Sequence, residues 1–152
     1  MPLIPAGTLV QTSDLLSAKG WTTYAPTIDG TTSYTASGDY IHLGEICLFK
    51  ASILATTGST GVGNNWEITL PVNASVEAGA ALVQVAGSAY LVGSTDDRFT
   101  GTCVISDVGA GSKVRIVPDT ASFTGYMGDT VPTATWWGDG SVISISGFYS
   151  TT

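Results

Sequence analysis

Apolar and polar residues alternate over long stretches of this chain, most clearly within residues 45–55. There Cys47, Phe49 and Ile53 fall on one face, because successive side chains of a β-strand point to opposite sides. The same period of two recurs in three later segments, 66–70, 113–116 and 141–149. The residues expected to face a common core are Cys47, Phe49, Ile53, Ile68, Leu70, Val114, Ile116, Ile143 and Ile145.

Glycine, proline and asparagine interrupt these runs at short intervals, as turns between strands do. Two apolar runs, 80–86 and 89–93, meet at Gly87 and Ser88, and this arrangement predicts a hairpin. The whole pattern predicts about eight strands joined by turns. We therefore predict an all-β fold, a single antiparallel β-sandwich or jelly-roll-like domain over residues 20–152.

The first 19 residues differ from the rest and form a predicted N-terminal arm. Pro2 and Pro5 interrupt the apolar stretch 1–10, and residues 12–20 have the pattern of one or two helical turns. The arm either packs across its own domain or anchors the chain in a partner. The predicted attachment residues are Leu3, Ile4, Leu9, Val10, Leu15 and Leu16.

The composition excludes several classes of partner. Only 11% of residues are charged, the net charge is −7, and the five Lys and Arg residues form no cluster along the chain. A nucleic-acid-binding surface needs clustered cations to neutralise phosphates, so we expect no nucleic-acid partner. The chain has no basic amphipathic stretch, no long apolar span and no signal-peptide pattern at its start, so we expect no membrane insertion.

Candidate catalytic residues are few. His42 is the single histidine and lies between apolar neighbours, which is typical of a structural imidazole. Asp96 and Asp97 could form a carboxylate pair for glycoside cleavage, but neighbouring aspartates in a polar loop are more typical of a solvated turn. Cys47 and Cys103 are expected to be buried thiols, with a disulfide as the alternative. We therefore predict no enzyme activity, no cofactor and no metal site.

Several apolar residues are predicted to lie outside the core. Ile46 and Leu48 occupy the outer face of the strand in 45–55. Trp136 and Trp137 are adjacent, and adjacent residues of a strand point to opposite faces, so one indole is expected to face outward. An outward tryptophan can fill a subunit interface or stack on a sugar. We assign Ile46, Leu48, Trp136 and Trp137 to an oligomer interface.

Four motifs and the arm carry a resemblance to a known group of proteins. The motifs are GWTTYAPT at 20–27, GDYIHLG at 38–44, WEITLPV at 66–72 and PTATWWGDG at 132–140, and the chain closes with GFY at 147–149. Together they resemble a β-structured module of tailed-bacteriophage virion proteins of the actinobacteriophage type, minor tail or tail-fibre proteins. Residues 5–15 are similar to the short attachment leader of such proteins. The absence of a long shaft after Gly20 makes a capsid decoration protein the rival assignment.

The resemblance implies a structural role on the virion surface. The expected protein is a non-enzymatic, homotrimeric component of the tail or head, made in the bacterial host cytoplasm and attached to other virion proteins through its arm. The alternative is a receptor-binding knob whose loops, 56–65, 94–98 and 118–135, contact a host cell-surface glycan.

Overall fold

Eight antiparallel β-strands make up the regular structure of this computed structural model. The structure describes residues 20–63, 65–75, 85–107, 111–120, 125–128, 131–132 and 136–151. Within those ranges the all-β prediction is confirmed, since they contain no helix. The strands are β1 (Thr22–Tyr24), β2 (Tyr34–Leu43), β3 (Ile46–Ala55), β4 (Ile68–Thr69), β5 (Val85–Val92), β6 (Arg98–Asp107), β7 (Lys113–Pro118) and β8 (Val142–Ser150).

The strands form one continuous sheet in the order β1-β2-β3-β8-β5-β6-β7-β4. The two-sheet sandwich or jelly roll that the sequence predicted is therefore not confirmed. The sheet curls because the chain just after β1 returns to its opposite edge, where Ile28 bridges Ile68. Two backbone hydrogen bonds hold this closure, from Asp29 N to Glu67 O at 2.9 Å and from Thr69 N to Thr27 O at 3.0 Å.

A cluster of charged side chains stabilises the same closure. The Glu67 carboxylate accepts hydrogen bonds from Arg115 Nη2 at 2.8 Å and from Lys113 Nζ at 3.3 Å. Lys113 Nζ also donates to Asp29 Oδ2 at 2.7 Å. Burial pushes the pKa of Glu67 upward, but the hydrogen bonds from these two cations outweigh it and leave the pKa below its usual value. We name Asp29, Glu67, Lys113 and Arg115 the charged clasp.

The core fills the inside of the curl. All nine residues that the alternation predicted to face inward are buried, so that prediction is confirmed. Three tryptophans join them at one end, with ring centroids of Trp66 and Trp137, and of Trp136 and Trp137, 5.4 Å apart. Each indole N–H is satisfied: that of Trp136 donates to the carbonyl of Gly128 at 2.8 Å.

The predicted hairpin at Gly87 and Ser88 is wrong, since β5 runs through both residues as one strand. A β-bulge between Val85 and Gly87 interrupts the pairing with β6. A Cβ atom at Gly87 would run into the carbonyl of Ser146 on β8. Glycine is therefore required here for close approach of two strands and not for a turn.

Candidate functional site

The outer face of the curled sheet carries a groove whose lining includes many serine and threonine side chains beside alanine and glycine residues. Its volume is about 890 Å³, and it crosses β1, β2, β3, β8, β5 and β6. Strand alternation creates it, because the inward residues of these strands are core and their neighbours must point out. Strand register then brings the outward residues of different strands side by side.

Two rows of side chains cross the strands along the groove. In the first row, Ser52 pairs with Ser37 and Ser144, and Tyr90 pairs with Ser144 and Thr100. The second row lies two residues further along each strand and runs parallel to the first. It consists of Asp39, Lys50, Ser146, Ser88 and Thr102. Five serines therefore occupy neighbouring outward positions on four strands.

Charged residues lie at both ends of the groove. At one end Lys50 Nζ is 3.2 Å from Asp39 Oδ2 and 5.0 Å from the ring centroid of Trp21. At the other end Thr100 Oγ1 donates to Asp119 Oδ2 at 3.3 Å. Between these ends, the described residues that line the groove are uncharged.

Five serine hydroxyls lie in the two rows of the groove. Ser37, Ser88 and Ser146 are exposed, and Ser52 and Ser144 are half-buried. None of these five hydroxyls makes a hydrogen bond to another described residue. Tyr90 is 42% exposed and has the largest side chain of the first row.

An apolar patch borders the groove on the same face. Leu48 pairs with Phe148 across β3 and β8, and Ile46 is the next outward residue of β3. Phe148 is 68% exposed and Ile46 is 47% exposed, while Leu48 is half-buried. The structure thus places Ile46 and Leu48 on the outer face, as the sequence predicted, and adds Phe148. We name Ile46, Leu48 and Phe148 the apolar patch.

The tryptophan pair corrects the sequence prediction. Trp136 and Trp137 are only 1% and 6% exposed, so neither indole faces outward and neither has surface to offer an oligomer interface or a sugar. Both residues precede β8 and lie outside any strand, so the alternation rule does not apply to them. Trp137 Nε1 donates to Thr31 Oγ1 at 2.6 Å and to Ser59 Oγ at 2.9 Å, which ties two loops to the core.

The candidate catalytic residues lie in a turn and near the end of a strand, where they make hydrogen bonds. Asp96 and Asp97 are exposed in the turn between β5 and β6, where Gly93 N donates to Asp97 O at 2.7 Å. The Asp97 carboxylate accepts a hydrogen bond from Thr95 Oγ1 at 2.9 Å. His42 Nε2 lies 2.9 Å from Thr151 Oγ1. None of these three residues lines the groove.

The two cysteines are buried, free thiols, as expected for core residues. Burial raises the pKa of Cys103 to about 12, so this thiol stays protonated at neutral pH. Among the described residues, no group of three or more His, Cys, Asp or Glu side chains is placed to hold a metal ion.

The predicted attachment residues, Leu3 to Leu16, lie outside the described part of the chain. Of the loops expected to contact a glycan, 56–65, 94–98 and 118–135, only Asp119 contributes to the groove among their described residues. The groove lies on the faces of the strands instead. Sequence reasoning missed it, although the outward serines of β8, Ser144 and Ser146, were visible in the alternation.

Comparison with family models, with curated proteins and with solved structures finds no match to this chain. The described residues also contain no helix with the length and apolar character needed to cross a membrane.

Proposed function

We propose that this chain is a non-enzymatic structural protein on the surface of a bacteriophage virion, a minor tail or fibre-like component or a head decoration protein. The four motifs that resemble phage virion proteins support the assignment. Their residues build this fold: Trp66 and Trp136 pack in the core, and Gly38 makes room for the ring of Tyr24. A resemblance carried by fold-determining residues fits a protein whose role is structural, although fold alone does not fix function.

The proposed protein assembles as a homotrimer through its outer face. The observation that carries this part is the apolar patch, whose Phe148 and Ile46 side chains are largely exposed in the single chain. Contiguous exposed apolar residues are typical of interaction surfaces, and association removes them from water. Trp136 and Trp137 are no longer part of the proposed interface, because the core already buries them.

Light scattering on the full chain tests the assembly. At micromolar concentration the expected mass is about three times the 15.6 kDa of one chain. Phe148→Asp and Leu48→Asp should each dissociate the trimer, because a carboxylate would have to be buried in an apolar contact. Val62→Asp is the matched control, since Val62 is 67% exposed and lies in a loop away from the patch. A monomeric full chain would contradict the trimer.

Particle incorporation tests the virion role and the arm together. Purified phage particles should contain the full chain. Its copy number per particle, measured by quantitative mass spectrometry, separates a head decoration protein, with hundreds of copies, from a tail component, with a handful. A chain starting at Gly20 should stay folded by circular dichroism but should no longer enter particles. Full occupancy by this shortened chain would assign attachment to the β-domain. Absence of the full chain from particles would refute the virion role itself.

A second candidate function is recognition of a host cell-surface glycan. The observation that favours it is the groove, whose hydroxyls have no hydrogen-bond partner among the described residues and whose exposed tyrosine suits a sugar.

A further inference from the structure

We propose that the groove binds a neutral oligosaccharide that lies across the strands, with Tyr90 as its stacking platform. This inference rests on the second candidate function and gives it a site and a ligand class. It does not depend on the virion role, because the groove belongs to the described β-domain alone.

The hydroxyl rows match the hydrogen-bonding character of sugars. A serine hydroxyl is one donor and two acceptors, and its hydrogen rotates to suit the partner. Sugar hydroxyls have the same dual character, so either side can donate at each contact. Ser37, Ser52 and Ser144 stand side by side in the first row, and Ser146 and Ser88 stand side by side in the second. Among the described residues no side chain or backbone group occupies these hydroxyls, so a ligand would not displace a partner from that part of the chain.

Tyr90 provides the apolar contact that a sugar also needs. Its ring is flanked in the first row by Ser144 and Thr100, which are both much smaller. A sugar ring has an apolar face of C–H groups, and an aromatic ring that combines an apolar body with a polar tip suits such a ligand. The small neighbours leave the ring accessible from the groove.

The charges favour a neutral ligand over an anionic one. Lys50, the one cation among the described residues that line the groove, already pairs with Asp39. Asp119 adds a negative charge at the opposite end, and the whole chain carries a net charge of −7. A phosphorylated or sulfated ligand would meet repulsion without a compensating cation.

The size of the groove suits several sugar units. Its volume of about 890 Å³ lies in the range of small-molecule sites. Six neighbouring strands spaced about 4.8 Å apart give it a length of about 24 Å. A second copy of the chain is a poorer occupant, because two facing rows of small hydroxyls would bury little apolar surface. The apolar patch is the face suited to that partner.

Binding of the full chain to defined saccharides tests the proposal. The probes are maltohexaose, cellohexaose and mannohexaose, together with dextran and dextran sulfate as a neutral and an anionic polymer of the same backbone. We expect calorimetry to detect binding to at least one neutral probe and none to dextran sulfate. Tyr90→Ala should weaken that binding by about tenfold, because it removes the aromatic contact. Ser144→Val should weaken it similarly, because it removes a hydroxyl from the centre of the groove.

Two variants on the same outer face serve as matched controls. Leu54→Ala shortens an exposed apolar side chain of β3 that lies outside both the groove and the apolar patch, and Thr35→Val removes an exposed hydroxyl of β2 that does not line the groove. Both should leave the saccharide affinity within about twofold of the parent, as surface changes away from a site do. Unchanged circular dichroism and thermal midpoints would show that the groove variants are folded.

Three results of the binding measurements would overturn the proposal. They are failure of every neutral probe to bind at millimolar concentration, binding that Tyr90→Ala and Ser144→Val leave unchanged, and preference for dextran sulfate over dextran. Dissociation of the oligomer by the two groove variants would also overturn it, because the groove would then be a subunit contact. Since these experiments use isolated protein, their failure is distinguishable from failure of the virion role, which only particle incorporation measures.

Discussion

Replacing Glu67 with glutamine tests whether the charged clasp stabilises the closed sheet. The substitution keeps the size of the side chain but removes the charge that Lys113 and Arg115 share. The Glu67 side chain is 20% exposed, and it accepts hydrogen bonds from Arg115 Nη2 at 2.8 Å, from Arg115 Nε at 3.1 Å and from Lys113 Nζ at 3.3 Å. Loss of this charge would leave Arg115 facing an uncharged side chain and Lys113 paired with Asp29 alone.

The expected magnitude lies between two limits. A hydrogen bond to a charged group contributes about 1.5–3 kcal/mol in protected surroundings, and an exposed ion pair contributes about 0.2–1 kcal/mol. Because the partners are one quarter to one third exposed, we expect Glu67→Gln to lower the free energy of unfolding by about 1–2 kcal/mol. For a domain of this length that corresponds to a drop in Tm of about 2–8 °C.

The sign of the pH dependence follows from the direction of the Glu67 pKa shift. Its pKa in the folded chain lies below the usual value, so the stabilisation is present in full above the unfolded pKa and is lost as the pH falls through the folded pKa. Thermal unfolding followed by circular dichroism should show the full difference between parent and Glu67→Gln at pH 7. The difference should shrink below the usual glutamate pKa of about 4.3.

A second ion pair supplies the control. Asp39→Asn removes the pairing with Lys50, whose side chain is 56% exposed, and should change stability by less than about 1 kcal/mol. Equal Tm values for the parent and Glu67→Gln at pH 7 would refute the role of the clasp. A difference in Tm between the parent and Glu67→Gln that stays the same in acid would refute the electrostatic origin of the stabilisation.

Three further outcomes follow from the core and the backbone. Trp136→Ala should lower the free energy of unfolding, measured by urea denaturation, by about 3–5 kcal/mol, since it leaves a cavity at a buried site. Val62→Ala, at an exposed loop position, should change the same free energy by less than about 0.5 kcal/mol. Gly147→Ala should prevent folding or greatly lower the urea midpoint, because its Cβ would clash with the backbone of β5, whereas Gly125→Ala, with open space around it, should leave the midpoint unchanged. Cys103, whose pKa burial raises to about 12, should not react with a thiol reagent at pH 8 in the folded chain and should react in urea; labelling of the native protein would contradict its burial.

Much of the β-structure could be predicted from local alternation. In β3, the inward Cys47, Phe49 and Ile53 and the outward Ile46 and Leu48 follow from a period of two that needs no knowledge of neighbouring strands. Alternation fails where the chain is not a strand, as at Trp136 and Trp137. It also cannot separate a turn from a close strand contact, as at Gly87, because glycine serves both purposes.

The sequence by itself determined the fold class, the inward faces of the strands and the low charge from which we expect no phosphate-rich partner. Only the tertiary structure decided which strands are neighbours. Ser52 of β3, Ser144 of β8 and Tyr90 of β5 are far apart in the chain and become one row because β8 pairs with both other strands. The closure of the sheet, with Asp29 beside Glu67 and Lys113, is likewise a product of long-range pairing. Alternation depends on the local geometry of one strand, whereas a groove depends on register between strands, and register is fixed by the whole core at once.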